Sequence, residues 1–173
     1  MEGRPVERER AVIDGAPGPV SDEARFAEIY PGLRRFAAVT ASADVDPDDL
    51  VQEALASTLR THGSLDTIGD LAAYLRRCIV NLESNHRRSR GREHARMRLT
   101  APTDAEAAAY PSDLSDLDGL EPQQRAILYL FEVEGWPFGQ IAELLDEKES
   151  TIRRRASTAR RLLRRQIRGD EQP

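Results

Sequence analysis

The sequence predicts an all-α protein made of two small helical domains joined by a flexible acidic linker. Three observations predict it. Apolar residues recur at three- and four-residue steps, as Ile152, Ala156, Ala159, Leu163 and Ile167 do, which aligns them on one side of a helix. Helix-start signals precede several such runs. And 173 residues with 39% hydrophobic content can hold one modest core or two small ones, of which two small helical domains suit the 5% aromatic content better.

Composition narrows the class further. The net charge of -5 argues against a general nucleic-acid coat protein, but the charge is segregated. Basic residues gather in Arg76 to Arg98 and in Arg153 to Arg168, while Asp104 to Glu121 carries six acids and no Lys or Arg. The single cysteine, Cys78, leaves no internal disulfide and fits a reducing compartment. No apolar run is long enough to cross a bilayer and the N-terminus lacks a signal peptide's hydrophobic stretch, so the expected location is cytoplasmic, away from the membrane.

In chain order, residues 1–20 mix Pro, Gly and charge and read as a disordered tail. Ser21, with Asp22 and Glu23 behind it, caps a helix whose Phe26, Ile29, Tyr30, Leu33, Phe36 and Ala37 face inward. Pro31 implies either a kink or two abutting helices there. Asp46-Pro47-Asp48-Asp49 opens a second helix, burying Leu50, Val51, Ala54, Leu55 and Leu59 and leaving Asp49, Gln52, Glu53 and Ser57 outside. Thr61 to Gly69 reads as a loop.

A third helix starts at Asp70 with Leu71, Tyr74, Leu75, Cys78, Ile79 and Leu82 inward. Its other face carries Arg76, Arg77, Val80, Ser84, Arg87 and Arg88, with Asn81 and Asn85 at the border. Arginines that hold phosphates beside amides that address bases suit nucleic acid, although a plainly solvated face would look the same. The first domain spans residues 21–98, a linker 99–113, a second domain 114–168 and a short tail 169–173.

The second domain opens at Glu121-Pro122 with a helix that buries Ala126, Ile127, Leu130, Phe131 and Val133 and stops at Gly135. From Pro137 to Ile167 follow a short helix, a tight turn at Asp146 and a long arginine-rich helix capped by Ser150 or Thr151, the outline of a helix-turn-helix. Eight arginines lie from Thr151 through Arg168 without an acid in that stretch, and an unneutralised basic helix favours phosphates.

Two separated patterns resemble one family, the sigma-70 family of bacterial RNA polymerase initiation factors, in its small extracytoplasmic-function class. Asp49-Leu50-Val51-Gln52-Glu53 resembles the core-polymerase-binding helix. Ala73 to Leu82, continuing through Asn85 to Arg88, resembles the helix that engages the minus-ten promoter element. Leu120 to Leu130 and Gly135 to Arg165 resemble the domain that reads the minus-thirty-five element, with Asp146 in place of the usual turn glycine.

The resemblance implies sigma domains 2 and 4, and as partners core RNA polymerase, through its clamp helices and flap, and promoter DNA. An anti-sigma factor is a further partner common in the class. It assigns polymerase contact to Asp49, Gln52 and Glu53, and minus-ten contact to Tyr74, Arg76, Arg77, Asn81, Asn85, Arg87 and Arg88, with the Thr61 to Gly69 loop forming part of a pocket for an extruded base. It assigns minus-thirty-five contact to Ser150, Thr151, Arg153, Arg154, Ser157, Thr158 and Arg161, with Arg153, Arg154 and Ser157 expected at base edges.

The alternative is a stand-alone helix-turn-helix regulator, which would not need the basic third helix or the Asp49 to Glu53 pattern. An enzyme is a weaker reading. His62, His86, His94 and Cys78 match no zinc spacing, and no phosphate loop or nucleophile elbow is present, so neither metal nor cofactor is expected.

Overall fold

The computed structural model describes residues 21–97, 117 and 119–169. The predicted tail 1–20 and linker 99–113 lie outside them. Among the described residues, six α-helices run in the order α1 (Asp22–Thr40), α2 (Pro47–His62), α3 (Leu71–Met97), α4 (Pro122–Leu128), α5 (Phe138–Leu145) and α6 (Glu149–Gly169), with a π-helical turn, Tyr129–Val133, continuing α4. No strand occurs among the described residues, and no helix among them is long and apolar enough to cross a membrane.

The start signals of α1, α2 and α3 act as physics requires. Ser21 Oγ accepts from the Ala24 amide at 3.2 Å, Asp46 Oδ1 from Asp48 at 2.7 Å and Asp70 Oδ1 from Ala73 at 2.9 Å, each satisfying an amide the helix leaves unpaired. Glu121 and Gln124 form a reciprocal capping box ahead of α4. A single helix passes through Pro31, whose ring is on the exposed side of α1. α2 runs to His62, two residues into the predicted loop, and stops at Gly63, with φ 75°.

Four packing expectations are corrected. The cores of the two halves are continuous: Leu33, Phe36 and Leu75 belong to the same buried cluster as Ile127, Leu130 and Ile141. Val80, assigned by spacing to the polar face of α3, is fully buried, because α4 packs against that side of the helix. Amphipathic spacing assigns one buried face per helix; a second helix docking on the other side of α3 adds another.

Val133, expected inside, is 70% exposed. The π turn closes through Glu134 N to Tyr129 O and Trp136 N to Leu130 O, and its extra residue rotates the end of the helix off the 3.6-residue spacing. Ile167, expected in the apolar stripe of α6, is also exposed. A smaller cluster of Leu120, Leu128 and Ala159 fastens α4 to α6.

Candidate nucleic-acid and polymerase interface

The helix-turn-helix is built from α5 and α6. α5 ends in a Schellman arrangement: Glu147 N donates to Ala142 O and Asp146 N to Glu143 O, with Asp146 left-handed at φ 56°. An aspartate can stand where glycine is usual because its short polar side chain tolerates that conformation. α6 begins at Glu149, so Ser150 and Thr151 already lie inside its first turn and do not cap it.

The arginines of α6 are not all free, as the sequence had suggested; their partners come from outside the stretch. Arg153 pairs with Glu149 and lies over the Phe138 ring at 4.9 Å. Phe138 stacks on Phe131 at 4.2 Å, and Arg160 covers Phe131 from beyond while pairing with Glu132 at 2.7 Å. Arg155 pairs with Glu147. Ser150, Arg154, Ser157 and Arg161 remain as one exposed row at steps of four, three and four. Arg153 is exposed beside it, and Thr151 and Thr158 are half-buried.

On α2, Asp49, Gln52 and Glu53 share an exposed face, and Glu53 Oε2 lies 3.3 Å from His86 Nε2 on α3. Asp48 next to them turns inward, accepting from the Tyr30 hydroxyl and from Arg34 Nε at 2.9 Å. The Tyr30 hydrogen bond, then Arg34, holds its carboxyl below the usual range, and the same bond raises the Tyr30 phenol.

α3 divides its polar residues between solvent and the second half of the chain. Asn81, Asn85 and Arg88 are exposed, and an open groove of about 490 Å³ runs past Asn85, His86, Arg88, Ser89 and Arg92. Tyr74 is half-buried, its hydroxyl 3.0 Å from His62 Nε2; burial above all raises its pKa. Burial also raises that of Cys78 below it.

The other three arginines are engaged across the interface between the halves. Arg76 binds Glu134 at 3.0 Å, Arg77 binds Asp146 at 2.9 Å, and Arg87 donates to Leu120 O at 2.8 Å beside Glu121.

Sequence reasoning missed the residues that shape the loop between α2 and α3. Arg25 donates to Leu65 O at 2.7 Å and Ile68 O at 3.1 Å, and Asp22 accepts from the Leu65 amide. Both come from the first turn of α1, some forty residues away, and no spacing signal marks them. Among the described residues, no group of three or more His, Cys, Asp or Glu is placed to hold a metal.

Comparison with known proteins agrees with this layout. The family profile "Sigma-70 region 2" matches residues 26–93 and "Sigma-70, region 4" matches residues 117–163. The ECF RNA polymerase sigma factor SigM of Mycobacterium tuberculosis, strains Erdman and H37Rv, is 27% identical over 137 residues, 77% of this chain and 70% of SigM. Among solved structures, the sigma factor RpoE in complex with the anti-sigma factor NepR from Bartonella quintana superposes with a TM-score of 0.63 at 25% identity, covering 86% of this chain and 98% of that one. With region 2 on α1 to α3 and region 4 on α4 to α6, the chain belongs to the sigma-70 family of RNA polymerase sigma factors, in its extracytoplasmic-function class.

Proposed function

We propose that the chain joins core RNA polymerase through Asp49, Gln52 and Glu53 on α2 and directs it to promoters, with residues 21–98 acting at the minus-ten element and residues 114–168 at the minus-thirty-five element. The observation that carries this is a pairing of unlike surfaces: an acidic and amide face on α2 with the exposed row of Ser150, Arg154, Ser157 and Arg161 on α6. Rim charges of the first kind steer and orient a protein partner. The second kind enters a major groove.

In this reading Arg154 and Ser157 reach base edges, Arg153 flanks them, and Ser150, Thr151, Thr158 and Arg161 complete the contact. At the minus-ten element Asn81, Asn85 and Arg88 meet the opened strand along the α3 groove, Arg76, Arg77 and Arg87 hold phosphates, and Tyr74 with the Thr61 to Gly69 loop receives an extruded base. The chain acts as an initiation factor in the cytoplasm and performs no chemistry of its own. The Bartonella sigma factor was solved with an anti-sigma factor, and a partner of that kind would hold this chain inactive.

Run-off transcription with purified core polymerase over genomic fragments tests the reading. Discrete transcripts that require the chain are expected. No transcripts, together with tight operator binding by the free chain, would favour a stand-alone regulator instead.

A further inference from the structure

We infer that Arg25 and Asp22, in the first turn of α1, are positioning residues for the loop between α2 and α3: they fix the tip of that loop and so set how sharply one minus-ten position is read. The inference rests on the proposed role of the Thr61 to Gly69 loop as part of the pocket for an extruded base.

The loop is loosely held at its ends. Gly63 stops α2 at φ 75°, and a Cβ added at Gly63 or at Gly69 would meet no atom within 4 Å. Between these glycines Leu65 and Ile68 are buried. The Ile68 amide donates to Leu65 O at 3.1 Å, closing a four-residue turn with Asp66 and Thr67 at its exposed tip. Apart from its contact with Arg25, the tip bonds locally: the Asp66 amide donates to Ser64 Oγ and the Thr67 hydroxyl to Ser64 O. Apolar plugs such as Leu65 and Ile68 set the depth of a turn without setting its direction, because burial is not directional and hydrogen bonds are.

α1 supplies the directional bonds. Arg25 Nη1 donates to Leu65 O at 2.7 Å and Nη2 to Ile68 O at 3.1 Å, so one guanidinium clasps the first and last carbonyls of the turn. Nη1 also meets Asp66 Oδ1 at 3.2 Å. Three residues earlier on the same helix, Asp22 accepts from the Leu65 amide at 3.1 Å and the Ser64 hydroxyl at 3.4 Å. Bonds from ionised groups are the stronger kind, and a rigid planar fork on two carbonyls restricts how the turn can lie. With 26% of its side chain exposed against 58% for Asp66, Arg25 supports the tip from the protein side.

The start of the loop is tied to a different element. His62 Nε2 lies 3.0 Å from the Tyr74 hydroxyl on α3, and the two rings meet edge to face with centroids 5.2 Å apart. The loop and Tyr74, the two walls of the proposed pocket, are thus fixed from α1, α2 and α3 together, which is the support a selective site needs.

The test selects transcribed templates from a promoter library randomised across the minus-ten element, using the full-length chain and purified core polymerase. The tip variant Asp66→Ala, Thr67→Ala should flatten base preference at one position. Arg25→Ala should lower the preference at that same position about fivefold, the order expected when a recognising group loses its fixed place, and Asp22→Ala should act in the same direction. Adding Arg25→Ala to the tip variant should cause no further loss, because the arginine acts through the tip. Core-polymerase binding should be unchanged, and amide exchange at Leu65 and Ile68 should rise in Arg25→Ala. Glu23→Ala, at an exposed position of the same helical turn, should leave the preference as it is.

An additive loss in the combined variant overturns the proposal. So does an even loss over all positions with a shallower salt dependence, which would mark Arg25 as a phosphate contact. Should Arg25→Ala lose its helical circular dichroism, Arg25→Lys keeps the charge without the fork and should still lower the preference about twofold; no change there likewise overturns it. The two readings fail separately. A position flattened by the tip variant but not by Arg25→Ala rejects the positioning role alone, and a tip variant that keeps every preference rejects the loop's part in the pocket and the proposal with it.

Discussion

Arg125 on α4 donates from Nη1 to the carbonyl oxygen of Ala41 at the end of α1, 2.6 Å away and 84 residues earlier in the chain. Its Nε also donates to Leu120 O, and only 3% of the residue is exposed. A buried guanidinium therefore ties the two family regions together where their apolar cores merge.

Arg125→Ala should destabilise the protein by about 2–4 kcal/mol, because it removes charge-assisted hydrogen bonds, leaves buried carbonyls without that donor and opens a cavity. Arg125→Met keeps much of the volume and should cost less. Urea unfolding followed by circular dichroism measures both. Because the core is continuous, the parent should unfold in one transition, and Arg125→Ala should broaden or split it.

Glu83 is a second buried charge that holds the first half together. Its side chain is fully buried, and Oε1 accepts from the Ser42 amide and hydroxyl and from Arg90 Nη2 at 3.0 Å. Arg90 also pairs with Asp44, so the loop between α1 and α2 is pinned to α3. Glu83→Ala should cost about 2–3 kcal/mol, below the usual loss for a fully buried pair because Arg90 keeps 31% of its side chain in water. Hydrogen exchange should show the loss of protection concentrated at Ser42 to Val45, and uniform loss across the chain would contradict the pinning role.

These two residues also mark the limit of what the sequence discloses. Caps, glycine stops and the left-handed Asp146 were legible because they depend on chemistry within a few residues. The HTH outline and the exposed face of α2 were legible from helical spacing. Val80 and Arg125 were not, because their burial is decided by helices docking from far along the chain. The partners of Arg153, Arg155 and Arg160 were hidden for a related reason: Glu149 and Glu147 precede the stretch in which acids were sought, and Glu132 reaches α6 only through the fold.

The Tyr30, Asp48 and Arg34 cluster predicts a pH dependence. Asp48 has a lower pKa in the folded protein than in the unfolded chain. Its contribution to stability is therefore in place above the unfolded value of about 3.9 and is lost as pH falls through the lower folded value. Asp48→Asn should lower stability at pH 7 and flatten the decline between neutral and acid pH. Thermal melts from pH 7 down to pH 3 test this; parallel curves for parent and variant would show that the cluster does not govern the acid response.

The aromatic ladder of region 4 separates neighbouring arginines by role. Arg154 projects from the exposed row of α6, whereas Arg153 is drawn back by Glu149 and the Phe138 ring. A guanidinium so held must break an ion pair and a cation–π contact before reaching a base, and an unpaired one need not. Arg154→Ala should thus reduce transcription dependent on the minus-thirty-five element about 10- to 100-fold, the loss of one bidentate base contact, while core-polymerase binding survives. Arg153→Ala should cost only about threefold, comparable to the loss of a flanking phosphate contact. Glu149→Gln completes the test, because releasing Arg153 should alter which base is preferred at its position in a randomised-promoter selection. If Arg153→Ala proves as damaging as Arg154→Ala, the ladder opens on DNA and both arginines read bases.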